Sequence, residues 1–166
     1  MIAAFGRTEL PADAAMSENL RHFEHSVEVG VSATVAWKFL TDISNWDDPP
    51  AHFTLEGPFE AGTGGTTELP GLEPLRWHLL EVQAGERYST KMPLDGAVLL
   101  FEWRFEALSE RKTRLTQRIT LTGENANAYA GQVEAGFGAN LSAGMQRIAD
   151  AMERQQRESG HFESRS

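Results

Sequence analysis

Two neighbouring stretches of strict alternation decide most of what this chain can fold into. Leu99, Phe101, Trp103 and Phe105 alternate with Leu100, Glu102, Arg104 and Glu106; further on, Leu115, Gln117, Ile119 and Leu121 alternate with Arg114, Thr116, Arg118 and Thr120. A period of two puts successive side chains on opposite faces of an extended strand, so each stretch predicts a strand with one dry and one wet face. Residues 125–153 follow without a proline, with Asn125 as a candidate N-cap. At about 1.5 Å per residue they predict one helix of roughly 40 Å, long enough to cross a sheet. Tyr129, Val133, Phe137, Leu141, Ile148 and Met152 fall on one side of it, with Gly144 and Ala151 between them, while Gln132, Gln146, Asp150 and Glu153 fall on the other. The apolar side of the helix needs cover, and the dry face of the sheet is the only surface large enough to give it.

The remaining elements are read by the same rules. Residues 23–29 alternate and predict the first strand, with His25 in phase with Phe23, Val27 and Val29. Gly30 ends it, and Ser32 can cap a helix through its hydroxyl. Val35, Phe39, Leu40 and Ile43 then recur at helical spacing until Asp47-Asp48-Pro49-Pro50 stops the run, which predicts one or two short helices and a solvent-facing acidic pair. Residues 53–59 and 66–69 flank the turn Gly62-Thr63-Gly64-Gly65 as one hairpin, and residues 76–82 and 87–92 flank Gln83-Ala84-Gly85-Glu86 as another. The fold class is therefore α+β: a seven-stranded curved antiparallel sheet wrapped around a long C-terminal helix, with two short helices between strands 1 and 2. A chain of 166 residues fits one domain. That domain is expected over residues 21–153, with residues 1–20 as a flexible extension and 154–166 as a polar tail.

Composition removes whole classes of function. The absence of cysteine excludes disulfide frameworks, thiolate nucleophiles, zinc ribbons and iron–sulfur clusters. A net charge of -9 repels a phosphate backbone, so no nucleic-acid partner is expected. The longest apolar run, Ala97-Val98-Leu99-Leu100-Phe101, falls far short of a membrane span, and a soluble, cytoplasmic protein is expected, as a monomer or homodimer. His22 and His25 point to opposite faces of their strand, and His52 and His78 stand alone, so no metal site and no cofactor is expected. The glycines at 62–65 lack the Lys-Ser or Lys-Thr of a phosphate loop, and there is no G-x-S-x-G.

The order of elements resembles the SRPBCC superfamily of helix-grip proteins, which includes birch pollen allergen, START lipid-transfer domains and aromatic polyketide cyclases. Individual segments resemble its bacterial polyketide cyclase/dehydrase-like branch: Val27-Glu28-Val29 leading through Ser32 and Val35-Ala36-Trp37 to Asp42-Ile43-Ser44-Asn45-Trp46; Gly57-Pro58-Phe59 with Gly62-Thr63-Gly64-Gly65; and Thr113-Arg114-Leu115-Thr116-Gln117. These signatures concern the fold. Members share a cavity and differ in what fills it, so the resemblance implies a pocket between sheet and helix and leaves its use open.

The residues expected to line that pocket are Trp77, Tyr88, Phe101, Trp103, Phe105 and Gln117 from the sheet. Tyr129, Val133, Gly136, Phe137, Asn140, Leu141 and Gly144 are expected from the helix. Aromatics dominate cores of this size, so any one of them can be plain packing, but together around a curved sheet they suit a planar or lipidic ligand. Gly131, Gly136, Gly138 and Gly144 each cost about 1 kcal/mol inside a helix. Close packing or tolerance accounts for Gly131 and Gly138, whereas Gly136 and Gly144, on the apolar side, either let the helix pack closely on the sheet or leave room for a ligand. Gln117 should point inward, where an unpaired amide costs about 1–3 kcal/mol. If acid–base chemistry occurs, His25 and Tyr88 are the candidate catalytic pair. The first expectation is a binding module for a small hydrophobic or aromatic molecule such as a lipid, polyketide or quinone. The alternatives are a cyclase/dehydrase promoting an intramolecular aldol closure, and an interaction protein resembling the Hsp90-activator or coenzyme Q-binding branches.

Overall fold

A computed structural model describes residues 21–46 and 51–163, with side chains as far as residue 159. The elements are β1 (Arg21–Val29), α1 (Ala33–Leu40), a 3-10 turn (Ile43–Trp46), β2 (His52–Leu55), β3 (Gly64–Glu68), β4 (Leu75–Gln83), β5 (Arg87–Leu94), β6 (Ala97–Ser109), β7 (Lys112–Thr122), α2 (Ala126–Val133), a π-helical segment (Glu134–Gly138) and α3 (Leu141–Glu163). The seven strands make one antiparallel sheet in the order β1-β7-β6-β5-β4-β3-β2. This is the helix-grip architecture. The expected extension at residues 1–20 and the pair Asp47-Asp48 lie outside the described residues.

The two alternating stretches form the middle of the sheet. β6 and β7 pair Leu99 with Leu121, Phe101 with Ile119, Trp103 with Gln117 and Phe105 with Leu115. All eight side chains are buried. On the opposite face Arg114 Nη1 meets Glu106 Oε2 at 3.0 Å and Arg118 Nε meets Glu24 Oε2 at 3.4 Å, exposed pairs that contribute little to stability. Ser32 Oγ accepts from the Val35 N–H at 3.2 Å and starts α1 as expected. Thr113 Oγ1, fully buried, donates to Val31 O at 2.8 Å and ties the turn after β1 to the start of β7.

Three expectations are corrected. The terminal helix is not continuous: it breaks between Val133 and Leu141, where the Ala139 N–H bonds to Glu134 O at 2.8 Å, five residues back. Two glycines and an asparagine explain the break, because Asn140 Nδ2 donates to the carbonyls of Ala135 and Gly136, both at 3.2 Å, in place of the helical ladder. Asn125 precedes α2 without capping it, since its Nδ2 donates to Asp95 O at 3.0 Å in the β5–β6 turn. The strand expected at 53–59 ends at Leu55, and Phe59 instead turns inward, its ring 5.0 Å from that of Tyr88. At the C-terminal end α3 runs to Glu163, into the segment read as a polar tail, with residues 154–159 exposed. The helical glycines separate as expected at two positions. Nothing lies within 4 Å of where a Gly131 Cβ would be, whereas one on Gly138 would meet the Phe23 ring at 2.8 Å, so Gly138 allows the π segment to sit against β1.

Candidate functional site

The inner face of the sheet and α3 enclose a cavity of about 260 Å³. Its floor comes from alternate residues of four adjacent strands: Trp77 of β4; Tyr88, Thr90 and Met92 of β5; Phe101 and Trp103 of β6; Gln117 of β7. Gly144, Arg147, Ile148 and Ala151 supply one stripe of α3, and Phe137 reaches in from the π segment. Phe39 and Leu40 of α1, Asn45 and Trp46 of the 3-10 turn, and Phe53 of β2 close the remaining side.

Local chemistry fixes the aromatic walls. Trp77 faces Gly65 across the β3–β4 ladder and lies flat against it, because a glycine leaves the room that an indole needs. Trp77 Nε1 donates to the buried Thr67 Oγ1 at 3.0 Å, so the ring has one orientation. Trp46 Nε1 donates to Leu40 O at 2.7 Å, and its ring stacks on Tyr88 at 6.2 Å and 15°. Asn45 is used structurally, Nδ2 to Phe39 O at 2.9 Å.

Against these walls the polar groups are few. Gln117 is 3 % exposed and its Oε1 has no hydrogen-bond partner. Thr90 is buried in the same cavity. Burial pushes the Tyr88 phenol far above its usual value of 10.0, so the side chain is a neutral hydroxyl at every physiological pH and can donate a hydrogen bond but cannot serve as a phenolate base. The unfolded chain ionises its phenols above about pH 10 while folded Tyr88 stays protonated, so this group's contribution to stability is intact below that pH and is lost as pH rises past it. In a Tyr129→Phe background, which leaves Tyr88 as the only tyrosine, phenolate absorbance is expected to develop only together with alkaline unfolding. A reversible phenolate in the folded state near pH 10 would contradict the burial.

Seven of the expected lining residues meet at the cavity: Trp77, Tyr88, Phe101, Trp103, Gln117, Phe137 and Gly144. The other expected ones do not border it. Phe105 packs behind it, 5.2 Å from Trp37. Tyr129 turns to the β5–β6 turn, its hydroxyl donating to Asp95 O at 3.2 Å. Val133 and Leu141 are buried in the core, Gly136 is buried in the π segment, and Asn140 is exposed and holds the helix break. His25 sits on β1 opposite Gln117, half-buried and outside the cavity. Tyr88 is three strands away from it, about 14 Å between backbones at roughly 4.8 Å per strand. Two groups of missed residues carried a signal. Thr90 and Met92 continue the alternation from Tyr88, and Arg147, Ile148 and Ala151 continue the helical stripe from Gly144. Trp46 and Phe39 carried none, because their placement depends on how a short connection folds back.

A family profile described as "Polyketide cyclase / dehydrase and lipid transport" matches residues 21–153, most of the chain. The protein belongs to this family. No curated protein sequence matches it. Among solved structures, the Zhui aromatase/cyclase from Streptomyces sp. R1128 is similar at TM-score 0.68 and 19% identity, over 86% of this chain and 99% of that one. Norcoclaurine synthase from Thalictrum flavum is similar at TM-score 0.67 and 14% identity, over 85% and 99%. The di-domain aromatase/cyclase StfQ of the steffimycin pathway matches at TM-score 0.65 and 17% identity, over 84% of this chain and 52% of its own length. At such identities the likeness concerns the helix-grip fold. Membership of the polyketide cyclase/dehydrase family supports a role in ligand binding or cyclisation. No helix among the described residues is long and apolar enough to cross a membrane.

Proposed function

We propose that the protein binds a small hydrophobic or aromatic molecule in the cavity between sheet and α3. The observation that carries this reading is a buried acceptor without a partner, Gln117 Oε1, set among aromatic walls. A well-filled core disfavours such a group, since an unmet buried acceptor costs about 1–3 kcal/mol. A ligand with one hydrogen-bond donor meets it. The volume sets the ligand's size: about 260 Å³ lies between the roughly 150 Å³ cavity that takes benzene and the roughly 300–1,000 Å³ of drug-sized sites. One or two fused rings fit.

Binding has more support than cyclisation. No Asp, Glu, His or Lys is among the described residues that border the cavity, and Tyr88 is held neutral, so the described lining offers no side-chain base for an aldol closure. Calorimetric titration with 2-naphthol, an apolar bicycle with one donor, tests the reading. Saturable binding to the wild type is expected. Gln117→Leu is expected to weaken it about tenfold, one charge-free hydrogen bond's worth, while raising stability by about 1 kcal/mol because the unmet amide is gone. Folded wild-type protein that takes up no 2-naphthol at millimolar concentration would overturn the proposal.

A further inference from the structure

Arg147 is the only charged residue among the described residues bordering the cavity, and it is exposed, which places it at the rim. Its own helix gives it no partner. Positions three and four before it are Gly144 and Ala143, and four after is Ala151; the one carboxylate in reach, Asp150, accepts from Gln146 Nε2 at 3.0 Å. No ion pair joins Arg147 to a described carboxylate. In a chain of net charge -9, anions are repelled on average, so an unpaired guanidinium beside an aromatic cavity is a local attraction for one anion. On the sheet floor of the same cavity, Gln117 Oε1 asks for a donor.

We infer, building on the cavity-binding reading, that the natural ligand is an aromatic acid of one or two rings. Its carboxylate pairs with the fork of Arg147 at the rim, its ring lies against the aromatic walls, and a hydroxyl or N–H on the ring donates to Gln117 Oε1. A planar guanidinium matches a carboxylate with two parallel hydrogen bonds, a geometry a neutral oxygen cannot use as fully. The contact sits at the solvent boundary, so it tunes selectivity and weakens with salt, while the rings supply most of the affinity.

The test compares 6-hydroxy-2-naphthoic acid with its methyl ester on the full-length protein at neutral pH. The wild type is expected to prefer the acid about fivefold at low salt, an energy typical of a partly exposed ion pair. Arg147→Met is expected to erase that preference, and Arg147→Lys to restore part of it. Acid and ester binding equally to the wild type, or a preference that survives in Arg147→Met, would overturn the inference and leave the cavity reading standing. Neither compound binding would end both.

Discussion

Gly144→Leu is expected to abolish uptake of 2-naphthol while leaving the fold as stable as before or more so. Gly144 is buried on α3 and borders the cavity directly opposite the aromatic floor. Four added carbons would occupy a large share of about 260 Å³. Binding of a bicycle should fall by about a hundredfold or more, beyond about 2.7 kcal/mol. Two effects act in the other direction on stability: a helix interior gains about 1 kcal/mol when glycine is replaced by a good helix former, and the new side chain buries apolar surface in space left open. Loss of binding with an unchanged or raised Tm therefore separates a blocked cavity from a damaged fold. Gly144→Ala should fall between, because one methyl group reduces the volume without filling it. Wild-type affinity in Gly144→Leu would show that the ligand sits elsewhere.

The fold was legible because its strongest signals are local. Alternation in β6 and β7 needs no knowledge of the rest of the chain, and the apolar stripe from Val133 to Met152 needs only helical spacing. The break at residues 134–140 was not legible in the same way. Four glycines announced a weak helix, but their effect depends on Asn140 turning back onto the carbonyls of Ala135 and Gly136, and an asparagine in a helix can instead face solvent. Asn125 shows the same limit. Its position before a helix suits a cap, yet the β5–β6 turn competes for its side chain and takes it.

The site divides along the same line. Residues in phase with an inward strand position, such as Trp77, Tyr88, Phe101, Trp103 and Gln117, reach the cavity because the pleat puts them there. Phe105 is in phase too, and fails only because the sheet extends past the cavity's end and Trp37 covers it. Tyr129 fails because its hydroxyl reaches the Asp95 carbonyl in the β5–β6 turn. The third wall, Trp46 with Phe39 and Phe53, comes from connections whose course no period describes. The most informative polar residue, Gln117, was visible from its phase alone, whereas Arg147 stands at helical spacing from Gly144 but carries a charge that an apolar stripe does not lead one to expect.

Gly65→Val is the substitution expected to cost the fold most within the cavity wall, and its effect should run through one neighbour. A Cβ at Gly65 would collide with the six-membered ring of Trp77, which stands opposite in the β3–β4 register. The indole is 5 % exposed and has little space to retreat into. It would have to swing off Thr67 Oγ1, now 3.0 Å away, and off the Trp46 ring at 5.6 Å. Overpacking costs about 1–3 kcal/mol and a buried indole N–H without its acceptor about as much again, so a loss of about 3 kcal/mol is expected in urea unfolding, with 2-naphthol binding lost as well. The alternative origin is general: valine at a strand position built for glycine can disturb β3 without involving Trp77. A double-mutant cycle decides between them. In a Trp77→Leu background the smaller side chain leaves room, and Gly65→Val should cost less by at least about 1 kcal/mol. Strictly additive costs would mean that Gly65 is required for its own strand, and that the flat seat of Trp77 follows from the sheet instead of from this glycine.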